Sequence, residues 1–386
     1  MPSVRVNRKG ADRVRSGHPW IFSSDVIERG TAQPGDAVRV LDHQGHNLGT
    51  GHYSSTSQIT LRMLSNHIEA VDETFLIKRI ESALQHRQRV VSATNAYRLI
   101  HAEGDLLPGL IVDKYADWIV VQMLNQGMDR MSTQVVSVLE RTVRPRGIIA
   151  RNDVAVRAKE ALSQDVRVLA GDIPHRVPIQ MNGLRLDSNL LTGQKTGVFL
   201  DQRENYIAAR RYARGNGLDC FTATGGFGLH LASVCENVEA IDSSQSTLAE
   251  AEANAVANEI RNISFKRADV LDYLPGLAAA RRIFDIVILD PPAFTKSRSA
   301  IEGAARGYKE INLRALQLLK PGGILVSCSC SHHMTEAHLL EVIASAALDC
   351  GKQLRVLERR TQAQDHPILL TVPETHYLKC LILEVL

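Results

Sequence analysis

Asp219 closes a short apolar run, the turn Phe221-Thr222-Ala223-Thr224-Gly225-Gly226 follows it, and a helical pattern opens at Leu229. Strand, tight turn and helix in that order make the first unit of a doubly wound sheet of the nucleotide-binding kind. Gly225, Gly226 and Gly228 are expected to let the backbone approach a ligand where any Cβ would intrude. A pyrophosphate would want G-x-G-x-x-G on a helix N-terminus. Here the turn reads Thr-Gly-Gly-Phe-Gly behind an acidic residue, which repels a pyrophosphate and suits a cationic ligand such as S-adenosylmethionine. Asp242 ends the next predicted strand, where a carboxylate can accept both hydroxyls of a ribose. Asp269, after a third strand, is placed to take the amino group of an adenine.

Two further stretches carry reactive types. Asp290 is followed by Pro291, Pro292, Ala293 and Phe294. Each proline fixes φ and removes an N–H donor, so this stiff corner offers carbonyls and a carboxylate to a flat substrate. Phe294 would stack on the target base; a loop phenylalanine covering the sheet edge is the plainer reading. Ser327-Cys328-Ser329-Cys330-Ser331 sets two thiols at alternate positions of one predicted strand, hence on one face. A thiolate that adds to carbon 6 of a pyrimidine turns carbon 5 into an enamine-type nucleophile able to take a methyl group. The strand alone does not choose between Cys328 and Cys330, and a buried inert thiol is the commoner fate of cysteine. His332 and His333 adjoin, but adjacent histidines beside C-x-C match no usual zinc spacing, so no metal is expected.

The elements that must position these residues fall into three segments. Residues 1–68 read as an all-β segment forming a small barrel, with turns at Pro34-Gly35-Asp36 and at residues 42–45. Trp20 and Phe22 within it are either a stacking platform for bases or core packing. Residues 69–185 read as a small central α+β domain: a helix over residues 69–91, strands near 99–100, 110–112, 118–122 and 147–151, and a helix near 131–141. Residues 186–386 hold the α/β domain, in which residues 284–289 form a continuous apolar strand interrupted only by Asp285, as a parallel sheet covered on both faces requires. Asp219, Asp242, Asp290 and Cys330 all follow strands, and ligands of open α/β sheets bind beyond the carboxyl ends of strands.

Composition narrows the class. At 386 residues, 44% hydrophobic and 23% charged, every segment can bury a core. The net charge of +3 is too small to argue nucleic-acid binding from the whole chain. Residues 1–68 nevertheless carry eight Lys/Arg against five Asp/Glu, with Arg5, Arg8, Lys9, Arg13 and Arg15 crowded into one arm that suits phosphate contacts as well as simple solvation. None of the six cysteines forms a C-x-x-C pair, so reduced thiols are expected. The opening Met1-Pro2-Ser3-Val4-Arg5 lacks the apolar core of a signal peptide, and no apolar run is long enough to span a membrane. A cytoplasmic location with no membrane partner is expected.

Together these residues resemble the bacterial and archaeal class I S-adenosylmethionine-dependent 23S rRNA (cytosine-5-)-methyltransferase family, over essentially the whole chain. The marks are residues 17–22 (Gly-His-Pro-Trp-Ile-Phe), residues 103–113, the highly specific run Lys195-Thr196-Gly197-Val198-Phe199-Leu200-Asp201-Gln202-Arg203, residues 221–227, residues 290–294, Ser329-Cys330-Ser331, Asp365-His366-Pro367 and Tyr377-Leu378-Lys379. The resemblance implies a β-barrel PUA domain that binds RNA, a small central α+β domain and a Rossmann-like class I methyltransferase domain. It further implies Cys330 as the nucleophile. The cofactor S-adenosyl-L-methionine is then expected against Asp219, Thr224, Gly225, Gly226, Asp242, Asp269 and Asp290, with Lys195, Thr196, Phe199, Asp201 and Arg203 closing over it. The implied partner is ribosomal RNA, naked or in an assembling large subunit, and a homodimer is compatible with the pattern. Another group of RNA cytosine methyltransferases carries Pro-Cys where this chain has Pro291-Pro292, so product release here cannot use a thiol at that corner. A second departure is in the central element, which begins His101-Ala102 and carries Leu106 where relatives often have glycine. The base that removes the carbon 5 proton is left between Asp290 and the Asp365–His366 pair. Two competing readings are a guanine amine or ring-nitrogen methyltransferase with Cys330 idle, and an RNA-binding assembly factor without chemistry.

Overall fold

The computed structural model describes residues 1–193, 198–294, 301–331 and 333–386. The chain forms two compact units. The first comprises Met1–Ile179, Ser188–Thr196 and Gln364–Thr375; the second comprises Gln180–Asp187, Gly197–Ala363 and His376–Leu386.

In the first unit, β1 (Ser3–Val6), α1 (Arg8–Arg15), β2 (Trp20–Phe22), β3 (Val26–Glu28), β4 (Ala37–Leu41), β5 (Asn47–Tyr53) and β6 (Ile59–Ser65) lead into α2 (Glu73–Val90). The six strands make one sheet in the order β2-β6-β5-β4-β1-β3, packed around Val4, Val6, Ile21, Val38, Val40 and Leu61. The helix α1 corrects the all-β expectation. Asn7 caps it by accepting from the Gly10 amide at 2.8 Å, and Gly10 and Ala11 are its buried face. Its charges are spent within the protein. Arg13 pairs with buried Asp25 at 2.5 Å and Arg15 with buried Asp42 at 2.6 Å, while Arg5 reaches Glu28 and Arg8 reaches Asp12 at 3.6 and 3.7 Å. The basic arm is therefore mostly neutralised. Trp20 donates through Nε1 to Glu103 at 2.8 Å and Phe22 lies under the Arg13 guanidinium, so both aromatics are engaged in packing.

The rest of this unit contains β7 (Ala96–His101), β8 (Leu110–Tyr115), β9 (Trp118–Met123), α3 (Gln126–Arg130), α4 (Ser132–Thr142), β10 (Gly147–Arg151) and β11 (Val166–Gly171). The five strands form a second sheet in the order β11-β10-β9-β8-β7, whose apolar side packs with α2 and α4 through Phe75, Leu76, Ile80, Val135, Val138 and Leu139. Two strands, β12 (Val177–Met181) and β13 (Leu184–Ser188), pair with each other.

The second unit runs α5 (Arg203–Tyr212), β14 (Asn216–Cys220), α6 (Gly226–Ala232), β15 (Asn237–Asp242), α7 (Gln245–Ala257), β16 (Ile263–Arg267), α8 (Val270–Ala279), β17 (Phe284–Leu289), α9 (Ile301–Gln317), β18 (Leu319–Ser329), α10 (Glu336–Asp349), β19 (Leu354–Arg360) and β20 (Lys379–Val385). Its seven strands lie in the order β16-β15-β14-β17-β18-β20-β19. Five are parallel; β20 inserts antiparallel beside β18. Every residue of β17 is buried, as expected for a strand covered on both faces. Pro321-Gly322-Gly323 form an irregularity within β18: Phe284 pairs with Leu319 and Ile286 with Ile324, and Gly322 takes φ +73°. Among the described residues no helix is long and apolar enough to cross a membrane.

Buried charge holds the end of the first unit's second sheet. Arg87 and Asp105 form a bidentate pair, and the Arg87 guanidinium also donates to the Asp365 carbonyl at 2.7 Å. Arg98 chelates Asp113 at 2.8 and 2.9 Å, and its amide donates to the Asp365 carboxylate. Arg87 is 2% exposed, so removing its head strands a carboxylate away from water. Arg87→Ala is expected to destabilise the protein by about 3–5 kcal/mol, read as a lowered midpoint in denaturant unfolding followed by circular dichroism.

Candidate active site

The parallel strands of the second unit end in a row of polar residues. Asp219 is the last residue but one of β14 and is 1% exposed. Its Oδ2 accepts from the Thr222 hydroxyl at 2.5 Å and from the Gly228 amide at 2.7 Å. Oδ1 is buried and finds no hydrogen-bond partner among the described residues. Burial pushes this carboxyl up to about 7, although Thr222 and Gly228 pull the other way and the charge of Asp242 adds to the rise.

The turn between β14 and α6 is backbone-strained. Phe221 and Ala223 sit at φ +64° and +50°, and Gly225 at +91°. Such values in non-glycine residues are uncommon and cluster at sites that the surroundings over-determine. The surroundings are visible: the Thr222 amide donates to Ile241 O at 2.9 Å and the Ala223 amide to Asp242 Oδ2 at 2.9 Å. The glycines turn out to serve packing as well as access. A Cβ on Gly226 would meet the Tyr206 hydroxyl at 2.4 Å, and one on Gly225 the Leu229 side chain at 2.9 Å. Thr224 lends its carbonyl to the Asn254 amide at 3.3 Å. His230 locks the first turn of α6. Burial pushes its pKa down to about 4, and the neutral ring donates from Nδ1 to Gly226 O at 2.6 Å while Nε2 accepts from Asn182 at 3.2 Å.

Asp242 closes β15, half-buried, with Oδ2 on Ala223 N and Oδ1 on Ser244 N, both at 2.9 Å. A ribose at this point would share oxygens that already tie the turn to α7. Asp269 caps α8, its Oδ1 accepting from Leu271 N at 2.8 Å, and is exposed. On the other side of β14, Asp290 follows β17 and accepts from Gln202 Nε2 at 3.0 Å. Asp201 accepts from the Tyr377 hydroxyl at 2.7 Å. Arg203 is buried at the start of α5, its carbonyl taking the Asn182 amide at 2.9 Å, and the Phe199 carbonyl faces the Tyr206 hydroxyl at 3.4 Å. The Tyr206 ring stands edge-on to Phe227 and stacks on His230. Burial keeps its hydroxyl protonated, reinforced by the charges of Asp290, Asp201 and Asp219. The geometry thus gathers three expected aspartates around one tyrosine and joins Asp242 to them through the turn. Lys195 and Thr196 lie outside the described residues.

The two thiols are separated by the end of β18. Cys328 is inside the strand, fully buried, opposite Cys380 of β20. Burial, then the facing Cys380 thiol, push it well above the ordinary thiol range. The strand stops at Ser329, and Cys330, one residue beyond it, is partly exposed. Tyr308 of α9 fixes this end: its hydroxyl donates to Ser329 Oγ at 2.8 Å, and Ser329 Oγ accepts the Ser331 amide at 3.3 Å. Phe294 lies on the same tyrosine with ring centroids 4.8 Å apart. Asp365 and His366 belong to the first unit, both buried, with Asp365 on Arg98 and the imidazole beside His101. These contacts hold the pair in the charge cluster of that unit; Asp290 belongs to the second unit.

Sequence reading missed Gln202, Tyr206 and Tyr308 as positioning residues. Gln202 lay inside the quoted run 195–203, a visible signal without a role. Tyr206 and Tyr308 sit in helices where an aromatic reads as core, and only the fold brings them to the strand ends. Among the described residues no cluster of His, Cys, Asp and Glu could hold a metal ion.

A seven-stranded sheet with its seventh strand inserted antiparallel between the fifth and sixth, and a carboxylate-flanked turn after the first, defines a class I methyltransferase fold; a PUA-like domain precedes it. The PUA-like domain family matches residues 4–66, and a methyltransferase domain family matches residues 214–369. Two solved structures share the fold over the full length of both chains: a methyltransferase complexed with SAH, with a TM-score of 0.87 at 20% identity, and a SAM-dependent methyltransferase from Streptococcus mutans, with 0.85 at 21%. The ribosomal RNA large subunit methyltransferase I of Pseudoalteromonas atlantica is 41% identical over 377 residues, covering 96% of this chain and 95% of the relative. Its namesake in Tolumonas auensis is 39% identical over 375 residues, covering 95% and 94%. The chain belongs to the ribosomal RNA large subunit methyltransferase I family.

The raised Asp219 carboxyl has a consequence for stability. The folded state holds this proton more tightly than the unfolded chain, so the contribution is complete below about pH 4 and is lost as pH climbs through about 7. Within that window the unfolding free energy of the ligand-free protein is expected to fall by up to about 1 kcal/mol per pH unit from this group. Asp219→Asn should flatten the slope between pH 4 and 7 in denaturant titrations; an unchanged slope would place the titrating group elsewhere.

Proposed function

We propose that this protein is a S-adenosylmethionine-dependent methyltransferase that forms 5-methylcytosine in 23S ribosomal RNA through a covalent bond between Cys330 and carbon 6 of the base. The substrate class rests on the relatives, which are named for ribosomal RNA of the large subunit. The cofactor rests on the fit of the site. The buried Asp219 Oδ1, lacking a partner among the described residues, and the neighbouring carboxylates Asp201 and Asp290 form an electronegative recess suited to an ammonium or sulfonium. Asp242 and Asp269 offer oxygens for a ribose and an adenine amine. S-adenosylmethionine, when bound, supplies an electrophilic methyl group.

The observation that carries the reaction type is the contrast between two thiols two residues apart. Cys328 is sealed in the sheet and held protonated by burial; Cys330 is partly exposed just past the strand end, at a position braced by Tyr308 through Ser329. Addition of the Cys330 sulfur to carbon 6 forms an S–C bond and moves the electron pair of the carbon 5–carbon 6 double bond toward carbon 5, which thereby becomes nucleophilic. Once carbon 5 has taken the methyl group, its proton leaves to a base, the double bond reforms and the sulfur is expelled. Asp290 is the carboxylate proposed for that proton, oriented by Gln202. The first unit binds the RNA, as a naked strand or an assembling subunit.

RNA carrying 5-fluorocytosine at the target cannot lose a proton at carbon 5, so the enzyme is expected to remain covalently attached on a denaturing gel in the presence of the cofactor. Cys330→Ser should abolish both adduct and methylation, because a serine hydroxyl is scarcely ionised near neutral pH. Cys328→Ser should retain both. Methylation by the wild type without any trapping would refute the covalent route and favour attack by an amine or ring nitrogen of guanine at the Asp290 corner.

A further inference from the structure

Lys379 opens β20, directly opposite Ser329 in the antiparallel pairing with β18. It is 3% exposed. Its ammonium donates to the carbonyls of Ser331 at 2.6 Å and Tyr377 at 2.8 Å, so it sits beneath the residue that follows Cys330. A lysine has three donors, and these two carbonyls use two of them. No carboxylate forms an ion pair with it among the described residues. A buried ammonium held only by neutral carbonyls is expensive, because desolvation disfavours the charged form. Burial indeed draws its pKa down to about 8, and among the described residues the charge of Cys330 opposes this fall.

We propose that Lys379 is the positioning residue that supplies the counter-charge for the Cys330 thiolate, anchored on the Ser331 and Tyr377 carbonyls and holding the sulfur ionised for attack. This rests on the reading of Cys330 as the nucleophile. The thiol proton passes to water before the substrate is engaged, Lys379 keeps its own proton, and the ammonium–thiolate pair replaces a neutral thiol beside an uncompensated ammonium. The sulfur that is expelled at the end of the reaction returns to the same counter-charge, which makes it a better leaving group. Other titratable groups near this strand end act differently. The Tyr308 hydroxyl from α9 is kept neutral by burial while bonded to Ser329. The Asp290 carboxylate after β17 opposes ionisation of the buried Cys328 thiol. Cys328 and Cys380 face each other, buried, inside the sheet. Among the described residues Lys379 is the buried cation bonded at this strand end.

The test reads the thiol without RNA or cofactor. The full-length protein is alkylated with iodoacetamide from pH 5 to 10, and the modified Cys330 peptide is quantified by mass spectrometry. In the wild type the inflection should lie clearly below the ordinary thiol value of about 8.5. Lys379→Met should slow alkylation at pH 7 by about tenfold or more and move the inflection upward by about one unit. Lys379→Gln, whose amide can still donate to the Ser331 carbonyl, should show the same loss and so separate charge from anchoring. Lys379→Arg should retain most of the reactivity. A wild-type inflection at or above about 8.5 overturns the proposal even if no variant folds, and so does an unchanged profile in a folded Met or Gln variant. If these profiles hold while the fluorinated RNA is never trapped, the ion pair stands and the nucleophile reading fails. If trapping is retained but Lys379 leaves the profile unmoved, the reverse is true.

Discussion

One buried carboxylate organises the ligand end of the second unit. Asp219 gives a single oxygen both to the Thr222 hydroxyl and to the Gly228 amide, and these two bonds fold the strained turn back onto the strand that precedes it. The left-handed backbone at Phe221, Ala223 and Gly225 persists because this anchor and the Asp242 contact with Ala223 over-determine it. The remaining Asp219 oxygen is kept from water without a partner among the described residues, which raises the carboxyl toward neutrality. A site held in this state gains from any cation that enters it, since pairing removes the desolvation that otherwise disfavours the charge.

The antiparallel seventh strand does for the thiol what the glycine turn does for the cofactor end. Inserting β20 between β18 and β19 buries Cys328 against Cys380 and brings Lys379 opposite Ser329. The same insertion ends the ladder at Ser329, which frees the following residue from the sheet. Tyr308, packed with Phe294 and bonded to Ser329, couples the proline corner to that strand end. The proposed nucleophile and the proposed base are therefore carried by neighbouring strands and braced by one helix.

Charge in the first unit is arranged by a different rule. Arg13 and Arg15 of α1 pair with buried Asp25 and Asp42, which flank strands of the same sheet, and Arg87, Arg98, Asp105, Asp113 and Asp365 make a buried network in which each head finds a partner. Buried ion pairs contribute little net stability but are costly to break. Their effect here is to fix the segment Gln364–Thr375, remote in sequence, onto α2 and β7.

What the sequence by itself determined was whatever short-range physics writes into adjacent residues. Alternation and apolar runs marked the strands of the central sheet and of β14, β15, β17 and β18. The glycine turn behind Asp219, the prolines after Asp290 and the run of residues 195–203 marked the fold and the family. Local signals could not say which glycine met a side chain rather than a ligand, because Tyr206 reaches Gly226 from a different helix. Nor could they separate Cys328 from Cys330: the distinction depends on where β20 stops pairing, a long-range event encoded some fifty residues later. Nor could they give the surroundings of Asp365 and His366, which include helix α2 and strand β7, more than 260 residues away in the chain. Only the tertiary structure could decide these points, because burial and pairing set the charge state of a thiol, a carboxyl or a lysine, and both are properties of neighbours that the chain brings together by folding.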